Sequence, residues 1–392
     1  MKRISREWTV RVVLSIAVLI VTGCAAAPKK EEARVFYPEP PSLPYIQYLT
    51  SYTGAVDIES PKSPFDIFLT GESVKKKLDK PYGVAIYDRK IYVCDTNQTV
   101  MIFDFSKKTF RPLQAAQTGL GKVQQPLNIS IDANGNKLVT DPVGGRVVMF
   151  DKNDLYVKAF TAEYPWKPVD AIAYEGLVYV ADIKNFEVAV FDMNSGELVK
   201  KIGKDINKPE ETLGLPTNLA MTTDGHLYVS DAGRFQLVQY DRDGHYIGTI
   251  GKLGSATGDF ARPRGIAIDR QERIYTVDAA FDNVQVFSPD GQLLLFFGKG
   301  GIGPGDLYLP AKIVIDYDNV QDFQQFADPS FQIEYIIIVT SQFGNRMVNV
   351  YGFGKEKGKK YPTDADLKQQ LIERLKKKTE SEKPTGEGEI GK

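Results

Sequence analysis

The stretch from Arg262 to Gly298, RPRGIAIDRQERIYTVDAAFDNVQVFSPDGQLLLFFG, decides the fold. Its apolar residues alternate over Ile266 to Ile268, Ile274 to Val277, Val284 to Phe287 and Leu293 to Phe297, with turn residues between them. That is the pattern of four half-buried strands in an antiparallel meander. The unit is a blade, and the chain repeats it. Opening prolines stand at Pro81, Pro126, Pro168, Pro216, Pro263 and Pro310, spaced 45, 42, 48, 47 and 47 residues apart. The second strand of each copy ends on Asp95, Asp141, Asp182, Asp231 or Asp278, with Ser341 in the sixth place. A period in the forties, repeated this often, means one supersecondary unit arrayed radially or linearly.

The chain of 392 residues therefore reads as one large domain with tails, its core divided among repeats. A hydrophobic content of 42%, with 20 Tyr and 21 Phe, suits a sheet-rich globular protein. Formal net charge is −1, and residues 1–23 hold Lys2, Arg3, Arg6 and Arg11 against Glu7 alone, so the remainder is more acidic still. Such a balance offers no field for nucleic acid. Two cysteines, Cys24 and Cys94, cannot build a disulfide framework or a Cys-rich metal site.

Residues 1–23 combine a basic start with an apolar run from Val12 to Val21, too short to span a bilayer comfortably. They read as an export signal. The run Val21-Thr22-Gly23-Cys24 resembles the lipobox of bacterial lipoproteins, which implies cleavage before Cys24 and a lipid on its thiol. Ala25 and Ala26 follow, and in the lipoproteins this resembles, the lack of aspartate there favours the outer membrane. Residues 25–44 are proline-rich with mixed charge and read as an extended tether. The repeats span 45–354. Tyr45 to Tyr52 alternates like a strand but has no blade of its own, whereas the last repeat lacks a fourth strand. Each deficit fills the other: the N-terminal strand completes the sixth blade and removes two exposed sheet edges.

The sixth repeat carries an insertion, DYDNVQDFQQFADPSFQIE, with Phe323, Phe326 and Phe331 among acids and amides. It reads as a self-packing excursion, with partner contact as the alternative. Residues 363–378 read as a short helix with Thr363 as N-cap and lysines in the last turn, followed by a disordered tail.

The repeats carry a Pro-x-Gly-Ile-Ala-like start and a Tyr-Val-x-Asp-like strand end, clearest at Arg262 to Asp269 and at Pro81 to Ile86. This signature resembles NHL repeats over roughly residues 45–352, and the resemblance implies a six-bladed β-propeller. Four repeats depart at the glycine, where Asn128, Asp170, Asn218 and Lys312 stand instead. Propellers of this kind imply that the inter-blade loops share one face, and that the tether, the C-terminal tail and the insertion share the other.

Among candidate sites, the repeated aspartates read as turn caps that bond local amides, and Cys94 as a small core residue. His226 and His245, the only histidines, sit beside Asp-Gly hairpin turns and read as surface residues. The ligand candidates are the opener residues Asn128, Asp170, Asn218, Arg264 and Lys312, with Arg146, Arg234 and Arg346 after the strand ends. All eight are placed near the central opening of the loop-bearing face, either to contact a ligand or to form an internal hydrogen-bond and salt network.

The sequence favours a lipid-anchored scaffold that holds a protein or polymer at the cell envelope, in the outer membrane and facing the periplasm or the surface. NHL propellers generally serve as interaction platforms, and chains of this appearance occur beside secreted multihaem cytochromes, which makes a cytochrome assembly one candidate partner. No Cys-x-x-Cys-His is present for haem attachment. The alternative is an enzyme like the propeller lyases and lactonases. The lyases lean on histidines, which two in one blade cannot reproduce, and a calcium site could draw only on Asn128, Asp170 and Asn218. Beyond a lipid on Cys24 no cofactor is expected, and RNA binding conflicts with export and with the acidic mature chain.

Overall fold

A computed structural model describes residues 34–60, 76–204, 208, 211–362 and 366. Of the two compact units into which the chain divides, residues 1–33 lie outside the described residues, and the second, 34–392, contains the propeller. The export signal, Cys24 and nearly all of the C-terminal helix and tail read from the sequence therefore lie outside the described residues.

Six antiparallel sheets stand in a ring, five of four strands and the sixth of five. In blade 5, the organising stretch, the strands are Pro263–Ile268, Ile274–Asp278, Asn283–Phe287 and Leu293–Phe297, counted from the ring's axis outward. Burial explains their composition. The second strand is buried at every position because both its faces pack on neighbouring blades, whereas the outermost strand alternates between half-buried and exposed. The apolar core accordingly forms between blades. One cluster joins blades 5 and 6 through Val277, Val286, Ile313 and Tyr335, and another joins blades 3 and 4 through Val190, Val229 and Val238.

The sixth blade is built from both ends of the propeller. Ile46–Tyr52 lies antiparallel to Val348–Glu356, with Ile46 opposite Phe353 and Tyr52 opposite Val348. Closure by the N-terminal strand is thus as the sequence implies. Residues 34–44 correct the tether reading. Phe36–Tyr37 pairs with Ile46–Gln47 as a fifth strand, and Phe36 meets Phe331 edge-on at 5.9 Å. Five prolines suggested an extended linker, but the aromatic residues among them gain more by packing.

The insertion folds back on the blade. A short helix, Val320–Phe323, and a 3-10 turn, Gln324–Phe326, bury Phe323, and Phe331 opens a long second strand that runs to Ser341. Arg34 is ion-paired with Asp328 of the insertion, Lys357 Nζ donates to Pro329 O at 2.9 Å, and Tyr361 Oη donates to Pro44 O at 2.8 Å. Both described ends of the propeller and the insertion therefore share one face, the hairpin face. The connections between blades share the other, the loop face.

Candidate functional site

Five of the six opening prolines, all but Pro126, are followed by a shift of register, as between Pro168 and Asp170 and between Pro216 and Asn218. Such bulges turn a side chain out of the regular alternation. In blades 1 and 5 a glycine takes this place because the next blade comes too close for a Cβ. One on Gly83 would lie 2.6 Å from Asn128 Cα, and one on Gly265 would lie 2.7 Å from Lys312 Cα. The departures from the glycine pattern are the residues that meet across the channel.

Asp170 of blade 3 and Lys312 of blade 6 come from opposite sides of the ring. Lys312 Nζ donates to Asp170 Oδ2 at 2.6 Å, with both side chains almost wholly buried. The same oxygen accepts Leu219 N at 2.9 Å and Asn218 Nδ2 at 3.2 Å, while Asn128 Nδ2 donates to Val169 O at 2.9 Å. A buried charge needs a partner and further hydrogen bonds, and here both are supplied. Toward the loop face, the Arg264 guanidinium lies 5.5 Å from the Tyr82 ring, a cation–π contact. Burial pushes the Tyr82 phenol up, and Arg264 opposes that shift. Together these residues form a polar plug across the axis.

Five of the eight sequence candidates thus stand at the axis. The other three do not, which corrects their placement. Arg146 donates through Nη1 to Leu120 O at 3.2 Å and also bonds Lys122 O, both in an inter-blade loop. Arg234 lies against Gly214 in another such loop. Arg346 Nη1 donates to Tyr48 Oη at 2.9 Å on the closing strand of blade 6. The turn after strand two lies far along the blade from the axis, so these side chains clamp loops and outer strands.

The repeated aspartates are staples. Asp231 Oδ2 accepts Gly214 N at 2.6 Å, and its Oδ1 accepts Leu215, Gly233 and Arg234 N at 2.7, 3.0 and 3.1 Å. Asp141 binds Gln124, Gln125 and Gly144 N in the same manner, and Asp278 binds Ala261 and Ala280 N. Each carboxylate ties the incoming inter-blade loop to the strand end and caps the next turn. At Asp95 burial is the larger influence and raises the carboxyl above its ordinary value, against the amides of Asp79, Lys80 and Asn97. Where blade 6 has Ser341, its Oγ accepts Tyr308 N at 3.2 Å, and Asp282 Oδ1 of blade 5 accepts Leu309 N at 2.8 Å. Cys94 is a buried free thiol, pushed well up by burial. His245 Nδ1 lies 3.0 Å from Asp241 Oδ2 in an exposed turn, and His226 is half-buried beside Asp224.

Sequence reasoning missed the threonines that brace the plug. Thr140 Oγ1 lies 2.9 Å from Asn128 N as acceptor and donates to Val169 O at 3.2 Å, and Thr340 Oγ1 donates to Tyr82 O across the closing junction. Their signal is a threonine directly before or at the strand-two end in repeats that otherwise carry small apolar residues there. The buried ammonium of Lys137 was also missed. It bonds Asp151 O at 2.8 Å and Asp154 Oδ1 at 3.0 Å, near the Tyr87 and Tyr92 rings, and burial lowers its pKa.

On the hairpin-face side of the plug the channel widens into a cavity of about 730 Å³, lined by the ends of the innermost strands. The loop face carries a rim of exposed apolar residues: Leu120, Val143, Phe186, Leu253, Ile302 and Phe343. Leu120 and Ile302 are 72% and 68% exposed. Among the described residues no group of three or more His, Cys, Asp or Glu side chains is arranged to hold a metal ion. For calcium, the nominated residues do not fit: the Asp170 oxygen that would face the ion is bonded by the Lys312 ammonium.

A profile of the DUF5128 family, described as a 6-bladed beta-propeller, matches residues 208–291. The chain is a six-bladed β-propeller. No curated protein matches it in sequence. Among solved structures it is similar to a structural genomics protein of unknown function from Bacteroides thetaiotaomicron, at 14% identity and a TM-score of 0.56, covering 78% of this chain and 75% of the other. It is also similar to the gluconolactonase XC5397 from Xanthomonas campestris, at 15% identity and a TM-score of 0.51, covering 78% and 98%. At these identities the likeness is one of fold.

Proposed function

We propose that this propeller is a lipid-anchored binding protein of the cell envelope, and that its loop face holds a protein partner. The observation that carries the reading is the rim of exposed apolar side chains on the face opposite both described ends of the propeller. Phe186 of blade 3 and Phe343 of blade 6 remain 45% and 43% exposed in the corresponding turns of opposite blades, and contiguous exposed apolar surface marks contact sites. Exposed Lys122, Lys184, Lys252 and Lys299 flank the rim, so the partner surface is an apolar patch bordered by carboxylates. In this reading a lipid on Cys24 would tether the propeller to the membrane.

The test is amine-reactive crosslinking of intact cells, followed by purification of the protein and mass spectrometry. Recurrent crosslinks from Lys122, Lys184, Lys252 or Lys299 to one envelope protein support the reading, and Phe186→Asp with Phe343→Asp should abolish them. Crosslinks to a partner only from hairpin-face lysines such as Lys107 and Lys152, or none outside the chain, would overturn it.

A further inference from the structure

The cavity on the other side of the plug carries a second reading that does not depend on the loop face. Its inner end is polar but neutral, because Lys312 there is paired with Asp170. Its walls are apolar: Ile131, Ile172, Ile268, Val314 and Ile315 stay half-buried because they border open space. Its mouth is acidic on one side, where blades 6, 1 and 2 bring Asp316, Asp318, Asp88 and Asp132. The mouth's arginine, Arg89, is committed elsewhere, with Nη2 and Nε donating to Asp322 at 2.6 and 3.1 Å. Lys90 lies 3.7 Å from Asp88 and offsets part of one charge only. Asp132 accepts Asn134 and Asn136 N, and Asp316 accepts Asn319 N, so these two carboxylates are held in place. Asp318 is exposed.

We infer that the open half of the central channel binds an organic cation with an unbranched apolar body, tail inward and cationic head at the mouth. A neutral floor, aliphatic walls and carboxylates along one side of the mouth match that chemistry from end to end. An anion would meet these carboxylates with the wrong sign. The volume of about 730 Å³ lies within the roughly 300–1,000 Å³ typical of small-molecule sites. The mouth opens on the hairpin face, so a ligand could enter while a partner covers the loop face.

The experiment is isothermal titration of the full chain with three probes: octyltrimethylammonium below its micelle concentration, octanoate and tetramethylammonium. Saturable one-to-one binding of the first is expected, with the other two at least about tenfold weaker, since octanoate carries the opposite head charge and tetramethylammonium lacks the tail. Asp88→Asn and Asp318→Asn lie on the exposed mouth, so the fold should survive, and each should weaken the cation about threefold. Asp290→Asn, at an outer hairpin of the same face, should change nothing. Equal affinity for octanoate, mouth variants that bind as the parent does, or no saturable binding of octyltrimethylammonium would each overturn the inference. None of these outcomes bears on crosslinking from the loop face, so the two readings fail separately.

Discussion

Replacing Asp170 by Asn would isolate the charge of the Lys312 ammonium in the middle of the channel. The two side chains are close to fully buried, and the 2.6 Å bond joins opposite sides of the ring. Breaking a buried pair by removing one partner costs about 3–5 kcal/mol, because the remaining charge stays out of water. The converse change, Lys312→Met, leaves the carboxylate with Leu219 N, Asn218 Nδ2 and Ala171 N as donors, so its cost is smaller, about 2 kcal/mol. The double variant removes both charges and should cost less than Asp170→Asn alone, since an apolar side chain of similar length fills the space. In thermal unfolding, at about 1.5 °C per kcal/mol for a propeller of this size, Asp170→Asn should lower Tm by roughly 6 °C, and the double variant should recover more than half of that. Calorimetry on the three variants and the parent is the assay. A loss under about 1 kcal/mol for Asp170→Asn, or a double variant as unstable as the sum of the singles, would refute the claim that the plug is a dry ion pair.

Asp231→Ala removes the acceptor of four backbone amides and should cost about 2–4 kcal/mol, with earlier limited proteolysis in the loop before Pro216 as the local signature. Deleting residues 34–52 leaves Val348–Glu356 as an open edge, so the truncated chain should associate, which size-exclusion chromatography would show as a shift to larger species. Burial, with Asp306 adding to it, pushes the Tyr37 phenol up to about 12, and burial next to Glu272 does the same for Tyr228. A raised folded pKa means that the unfolded chain gives up the proton first. Stability from these tyrosines is therefore complete below pH 10 and falls as pH climbs from there through 12, and absorbance at 295 nm should show a late ionisation step coincident with loss of structure.

Much of the architecture was legible in one chain. The opener prolines, the strand-end aspartates and the unmatched strand at Tyr45 fixed the number of blades and the closure, because a repeated unit that cannot bury its own faces must stack on copies of itself. The aspartate staples were legible too, since an Asx side chain at a strand end bonds the nearest amides whatever lies beyond. What stood out of register was the clearest guide to the axis: Asn128, Asp170, Asn218 and Lys312 break the glycine pattern and are the residues that converge there.

Distance across the ring was not legible. Asp170 and Lys312 are 142 residues apart, and only the curvature of six stacked sheets makes them partners. The same curvature carries Arg146 and Arg346 outward, although their places in the repeat look equivalent to axial ones, because the turn after strand two follows the blade away from the axis. It also decided that Phe36 and Tyr37 are strand and not tether, since the aromatic ledge that receives them, Phe331, Phe297 and Tyr351, is assembled from blades 5 and 6. Periodicity is a local property that survives in the sequence; convergence on an axis is the sum of small rotations between blades, and exists only once the ring has closed.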